Sequence, residues 1–301
     1  MARIALKVDV DTLRGTREGV PRLLALFERF GLAATFLFSL GPDHTGWALR
    51  RVFRRGFMSK VSRTSVLEHY GLRTLLYGVL LPGPDIGRVA AAPMRAARDA
   101  GHECGIHAWD HVLWQDNVRT RDEAWTRRQM RAAFDRFVDV FGEAPATHGA
   151  AGWQMNGAAF RQIDDWGMRY ASDGRGSGPF VPVVGGVSLA HVQWPTTLPT
   201  LDEMIGLDGV DAESVARALL AQTASDRDQV FTLHAELEGG RLAPAFEALL
   251  AGWRSQGHEL VTLGELHRHV ARAALPHVAV SWGSVPGRSG ALVTAGDAVD
   301  G

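Results

Sequence analysis

Two kinds of apolar pattern alternate along this chain. "RIALKVDV" (3–10) is a nearly continuous apolar run rich in β-branched residues, and it ends at an acidic cluster, as expected of a buried strand entering a site. "REGVPRLLALFERFG" (17–31) then spaces Val20, Leu23, Leu24 and Phe27 at helical intervals and stops at a glycine. "AATFLFSL" (33–40) predicts a second buried strand. Strand, helix and strand in so short a span form a βαβ unit and imply a parallel sheet.

The alternation resumes further on. "PMRAARDAGHE" predicts a helix, and "HECGIH" (102–107) a strand that delivers His107 at its C-terminal end. Helices are expected over 121–141 and 158–167, with "MRYASD" as the next strand. "DQVFTLHAE" (228–236), "LAPAFEALLAGWRSQG" and "HELVTL" close the pattern as strand, helix and strand. Residues 272–301 show neither period and are expected to form a flexible tail. The expectation is one α/β domain over 1–271, carrying an insertion at about 41–87 that is too long for an ordinary βα connection.

That insertion changes the picture. "WALRRVFRRGFMSKVSR" (47–63) interleaves Arg50, Arg51, Arg54, Arg55, Lys60 and Arg63 with apolar side chains. A basic amphipathic segment of this kind suits an anionic membrane surface; the alternative is a surface helix packed on the domain. No run of about 18 apolar residues exists to span a bilayer. "MARIALKVDVD" lacks the features of a signal peptide, which leads to the expectation of a cytoplasmic protein, at most peripheral on the membrane. A net charge of −1 offers no global basic field for nucleic acid. Cys104 is the only cysteine, so an intramolecular disulfide is excluded.

The candidate chemistry sits at predicted strand ends. In "HAWDH", His107 and His111 are four apart and could meet one metal ion, but Ala108 stands where the metalloprotease motif H-E-x-x-H has its glutamate. A catalytic zinc typically has three protein ligands and an open position. "VDVD" (8–11) offers the missing groups: Asp9 and Asp11 share one face of a strand, so one carboxylate can ligate while the other takes a proton from bound water. The competing reading is that both aspartates cap the next turn and the histidine pair is incidental. His234 in "TLHAELEG" again ends an apolar strand, a position suited to a general acid. Two histidines and an aspartate suit zinc, but also cobalt, nickel, manganese or iron.

Taken in order, "VDVD", "HAWDH" and "TLHAE" resemble the motifs of the NodB-type polysaccharide deacetylases. "VDVDTLRGTREGVPRLL", "FLFSLGPD", "GIHAWDH", "GAAGW", "SDGRG", "TLPTLDEMIG" and "HAELEG" bring the chain closest to one branch, the deformylases of 4-deoxy-4-formamido-L-arabinose-phosphoundecaprenol. The resemblance implies a distorted parallel (β/α) barrel with one divalent metal at its top. It implies Asp9 as general base, His234 as general acid, and Asp11, His107 and His111 as metal ligands. Asp173 falls where the superfamily has an acidic residue that orients the histidine. Trp153, Gln154 and Arg175 fall in stretches expected to support the site or touch substrate, and "GAAGW" to offer a backbone N–H to an oxyanion. The deformylases commonly read Gly-Trp-Arg where this chain has Gln154, so either Arg175 or the metal supplies the positive charge beside Asp9, or the N-acyl substrate differs. The implied partner is an amino sugar on undecaprenyl phosphate, N-formylated or, in a neighbouring branch, an N-acetylhexosamine. Deacetylation of other glycans and non-catalytic binding of lipid-linked sugar are further alternatives.

Overall fold

The computed structural model describes residues 2–48, 72–223, 227–288 and 290–299. The strands are β1 (Arg3–Val10), β2 (Thr35–Ser39), β3 (Glu103–Ala108), β4 (Tyr170–Ala171), β5 (Val181–Val184), β6 (Val187–Ser188), β7 (Val192–Gln193), β8 (Gln229–His234), β9 (Glu259–Val261), β10 (His277–Gly283) and β11 (Leu292–Ala298). β1 lies at the centre, and its residues from Ile4 to Val10 are buried, as its apolar run requires. On one edge it pairs with β8 in parallel register; on the other, β9 takes its first half and β2 its second.

The wall continues from β2 to β3 in parallel. Beyond β3 the ladder thins to isolated backbone bonds. The Gly149 N–H reaches the Ile106 carbonyl, the Ser172 N–H reaches that of His148, and β4 pairs with β7. The Leu198 N–H then reaches the Val230 carbonyl of β8. The strands therefore follow one another round a distorted parallel (β/α) barrel whose wall is irregular between β3 and β8.

Helices cover the outside, and their ends follow local chemistry. Val20–Phe30 begins with Pro21 and ends at Gly31 with φ +57°, a left-handed turn that a side chain would strain. Glu123–Phe141 starts where the Asp122 carboxylate accepts the Trp125 N–H at 2.8 Å. Phe27, Phe36, Phe231, Phe246 and Trp253 fill the space between sheet and helices without exposure. Among the described residues no helix is long and apolar enough to cross a membrane.

The expected flexible tail needs correction. β10 pairs in parallel with β5 and antiparallel with β11, and Leu292 and Val293 are buried. The Arg175 N–H donates to the Val293 carbonyl and the Ala295 N–H to that of Arg175, which fastens the hairpin to the barrel. These strands are rich in small residues and mostly half-buried, so pairing with distant segments defines them and no apolar alternation announces them. Of the 41–87 insertion, the flanks to residue 48 and from 72 are described; Arg50, Arg51, Arg54, Arg55, Lys60 and Arg63 lie outside the described residues.

Candidate active site

Parallel register brings the site together. Asp9 near the end of β1 stands directly beside His234 at the end of β8, although 225 positions separate them in the chain. His107 is delivered by β3, and His111 opens the helix His111–Asn117. The spacing of this histidine pair therefore spans a strand-to-helix turn. Asp110 forms that turn: one carboxylate oxygen accepts the Leu113 N–H at 3.0 Å and the other meets His44 Nδ1 at 2.5 Å. Trp109 packs beside it under the Arg136 guanidinium.

Asp11, His107 and His111 converge, the one such cluster of potential ligands among the described residues. His107 Nε2 lies 3.2 Å from Asp11 Oδ1, and His111 Nε2 lies 3.4 Å from Asp11 Oδ2. His107 Nδ1 is 2.7 Å from the Gly149 carbonyl, which can only accept, so this nitrogen carries the proton and Nε2 presents its lone pair inward. Asp11 Oδ1 and Asp9 Oδ1 are buried without a hydrogen bond. Acceptors that face one another in a buried site need a cation or shared protons between them, so these residues fit a metal ion. Burial resists charge on Asp11, but His111, His107 and His234 outweigh it and hold the carboxyl well below the usual range. Burial likewise opposes charge on His107, and Asp9 and Asp11 reverse that, raising it above the ordinary histidine value.

Around this cluster lies a cavity of about 180 Å³, lined also by Gln115, Gly152, Trp153, Asp202, Glu236 and Arg288. Burial disfavours charge on His234, yet Asp202 and Asp11 raise its pKa above the usual value. Its Nδ1 faces Asp202 Oδ1 at 3.9 Å. Asp173 does not perform the orienting task expected of it: it is wholly buried, takes His148 Nδ1 at 2.6 Å and accepts from Gln193 Nε2 at 2.7 Å. Asp202, from "TLPTLDEMIG", occupies that place because the turn before Leu201–Met204 runs beside β8, held there by bonds from the 197–198 amides to Val230.

Glu236 organises the loop that carries Asp11. Its Oε1 accepts from the Asp11 N–H, the Thr12 N–H and the Thr12 hydroxyl at 3.1, 2.8 and 2.7 Å. Gly15 lets it approach, since a Cβ there would lie 1.9 Å from Oε1. Burial and the Asp11 charge push Glu236 up to about 8, and burial pushes Glu238 up to about 7. Trp153 has φ +52°, a conformation rare for a side-chain-bearing residue, and it follows Gly152 at φ +60°. Its ring packs against the guanidinium groups of Arg288 and Arg175, 4.7 and 4.9 Å from its centroid. The Trp153 and Gln154 amides already bond the Ala150 and Ala151 carbonyls, so neither is an oxyanion donor.

No family model matches the chain. A probable 4-deoxy-4-formamido-L-arabinose-phosphoundecaprenol deformylase (ArnD) from Shewanella sediminis is 36% identical over 269 residues, covering 89% of this chain and 87% of that protein. The chain belongs to the 4-deoxy-4-formamido-L-arabinose-phosphoundecaprenol deformylase family. Another protein of that name, from Wigglesworthia glossinidia brevipalpis, is 28% identical over 92% of this chain and 96% of its own length. Among solved structures, PuuE allantoinase superposes with a TM-score of 0.58 at 17% identity, over 89% of this chain and 90% of its own. A family 4 acetyl xylan esterase from Clostridium thermocellum, solved with a cobalt ion, gives 0.51 at 16% identity, over 88% of this chain and 90% of its own. At such identity the structures support the fold.

Where this deformylase-family chain departs from Gly-Trp-Arg, a different cation stands beside Asp9. Gln154 Nε2 donates to the Ala291 carbonyl of the C-terminal segment and does not reach Asp9. Arg175 pairs with Glu203 at 2.6 Å and donates to the Leu198 carbonyl. Lys7 provides the charge: it is wholly buried, with Nζ 3.6 Å from Asp9 Oδ2, 3.0 Å from the Ser172 carbonyl and 5.7 Å from the Trp153 ring centroid. Burial lowers the Lys7 pKa, against the pull of Asp9 and Asp173. The signal for Lys7 was present in "RIALKVDV", where strand alternation puts a lone lysine on the same face as Asp9 and Asp11. No sequence signal pointed to Arg288, which reaches the cavity from the C-terminal hairpin and pairs with Glu203 at 2.9 Å and Asp202 at 3.4 Å.

Proposed function

We propose that this protein is a metal-dependent amide hydrolase that removes the formyl group from 4-deoxy-4-formamido-L-arabinose carried on undecaprenyl phosphate, in lipid A modification. Family membership over nearly the whole chain supports the substrate. The convergence of Asp9, Asp11, His107, His111 and His234 in one cavity supports the chemistry.

Asp11, His107 and His111 would hold the metal ion, most plainly zinc by donor set, with cobalt, nickel, manganese and iron compatible. A divalent ion there, when bound, would polarise the formamide carbonyl and make water more acidic. Asp9, anchored by Lys7, takes the proton from the attacking water. His234, held protonated by Asp202, gives its proton to the sugar nitrogen as the C–N bond breaks, so an amine leaves in place of an unstable amide anion. The products are formate and the aminoarabinose glycolipid. Trp153, buried against Arg288 and Arg175, forms part of the cavity wall and holds those cations beside the substrate site.

An N-acetylhexosamine substrate would draw its support from Gln154, which stands where the deformylases commonly have arginine. That side chain turns to Ala291 and does not line the cavity, which leaves the formyl substrate favoured. We place the enzyme in the cytoplasm, peripheral on the inner face of the membrane where its substrate lies, with the cationic 50–63 segment drawn to anionic lipid.

The test is mass spectrometry of N-formyl and N-acetyl sugars on undecaprenyl phosphate incubated with the purified protein and a series of divalent metals. The expected result is release of formate, with little or no acetate. Asp9→Asn and His234→Ala should each keep bound metal and lose about 1,000-fold in turnover. Near-normal activity in either would refute its role.

A further inference from the structure

The segment between β10 and β11 brings one arginine up behind the proposed general acid. Arg288 Nη2 lies 3.4 Å from Asp202 Oδ2, and its Nε donates to Glu203 Oε1 at 2.9 Å. Several contacts fix this placement. Gly287 has φ +79°, and a Cβ there would lie 2.3 Å from the Glu203 carbonyl oxygen, so only glycine lets the segment close on that backbone. The Gln154 amide donates to the Ala291 carbonyl at 2.8 Å, and the Arg288 guanidinium packs 4.7 Å from the Trp153 ring centroid.

Asp202 needs that support. Its side chain is 32% exposed, and its Oδ1 faces His234 Nδ1 at 3.9 Å, too far for a hydrogen bond to hold it. Thr200 fixes one oxygen, its hydroxyl donating to Oδ1 at 2.6 Å, and Arg288 draws the other. Burial disfavours charge on Asp202, but Arg288 and then His234 outweigh it and hold the carboxyl below its ordinary range. His234 Nδ1 is itself buried without a hydrogen bond, so the ring's orientation depends on where the Asp202 carboxylate points. Arg288 brings no surplus charge for an anionic part of the substrate. Arg175 and Arg288 both bond Glu203 Oε1 while Arg288 also faces Asp202, so two cations meet two carboxylates.

We propose that Arg288 is a positioning residue: it aims the Asp202 carboxylate at His234, so that proton donation to the leaving nitrogen depends on the C-terminal hairpin. The inference rests on the amide-hydrolase reading given above and adds to it a residue that acts through Asp202 without touching substrate.

The experiment is a double-mutant cycle on the full-length, metal-loaded protein, read as formate released from the formamido sugar on undecaprenyl phosphate. Arg288→Ala should lower kcat about 30-fold and leave KM within about twofold, because the lost interaction matters only as the C–N bond breaks. Asp202→Asn should lose about 100-fold, and adding Arg288→Ala to it should cost less than about twofold more, since no carboxylate remains to be aimed. Arg288→Lys keeps a cation but not the fork, and should recover at least about fivefold of the loss. With 4-nitrophenyl formate, whose phenolate leaves without a proton, Arg288→Ala should stay within about threefold of wild type. The variant should remain folded with full metal content, because Arg175 and the Thr200 N–H still bond Glu203. Losses that multiply in the double variant overturn the proposal, since Arg288 then acts independently of Asp202. A raised KM with unchanged kcat overturns it in favour of direct substrate contact, and equal losses on sugar and ester overturn it in favour of a general disturbance of the fold. If the wild type releases formate and Arg288→Ala does so equally well, only the role of Arg288 is lost. If the wild type cleaves neither substrate, the hydrolase reading fails and this inference with it.

Discussion

The two ends of the barrel hold cavities that teach opposite lessons. The larger, about 570 Å³, lies at the N-terminal ends of the strands, between Glu103, Tyr170, Thr262 and His267; the smaller, about 180 Å³, lies at the C-terminal ends, between the aspartates and histidines. Size would favour the first as the place for chemistry. Hydrogen bonding favours the second. At the larger cavity Glu103 is saturated by the Tyr170 hydroxyl, the Thr35 hydroxyl and the Gly264 N–H. At the smaller one Asp9 Oδ1, Asp11 Oδ1, His234 Nδ1 and Glu236 Oε2 are buried without a hydrogen bond. Unmet buried polar atoms are unfavourable for folding, and they persist where a ligand, an ion or a reacting group completes them.

The strongest way to break this contrast is to remove a ligand from the unsaturated end. His107→Ala should weaken metal binding at least 100-fold by calorimetry and abolish formate release, while the fold persists by circular dichroism. Unchanged metal affinity would show that the cluster is an ordinary buried ion pair.

Next in size is the buried Lys7–Asp9 pair. Lys7→Met in the metal-free protein strands the Asp9 carboxylate and should cost about 3 kcal/mol in urea unfolding. Adding Asp9→Asn should recover most of that loss, since both charges are then gone. Additive losses would mean that the two side chains do not sense one another.

The saturated end should respond in the other sense. Glu103→Ala removes an acceptor shared by three donors and should lower stability by about 2 kcal/mol, with turnover held within about twofold. A large loss of turnover there would erase the distinction between the two ends. The smallest effect concerns His102, beside the same cavity. Burial pushes its pKa down from 6.5 to about 4, and its Nδ1 accepts the Ala34 N–H at 3.1 Å. The unfolded chain takes up the proton first as pH falls through 6.5, so this contribution to stability is present above 6.5 and declines toward pH 4. A histidine titration by NMR should find the His102 midpoint near 4; a midpoint near 6.5 would show that the bond to Ala34 does not hold it neutral.

Much of the molecule could be read along the chain. The helix ends at Gly31 and Asp122, the buried run of β1, and the delivery of His107 and His234 at strand ends follow from local pattern, because each depends on neighbours a few residues away. The ordered motifs around Asp9, His107 and His234 likewise identified a family that the sequence relatives bear out. What escaped were pairings across the chain. Asp202, not Asp173, faces His234; Lys7, not residue 154 or Arg175, steadies Asp9; and an apparently patternless C-terminal stretch contributes two strands and Arg288.

By itself, then, the sequence determined which residue types stand at which strand ends, and through them the barrel and its candidate chemistry. Only the tertiary structure decided which carboxylate meets which histidine. Those choices depend on the register of parallel strands and on how loops cross the barrel mouth. Both are fixed by packing and hydrogen bonds between residues tens to hundreds of positions apart, such as Asp9 beside His234 and Gln154 on Ala291, for which no local period exists.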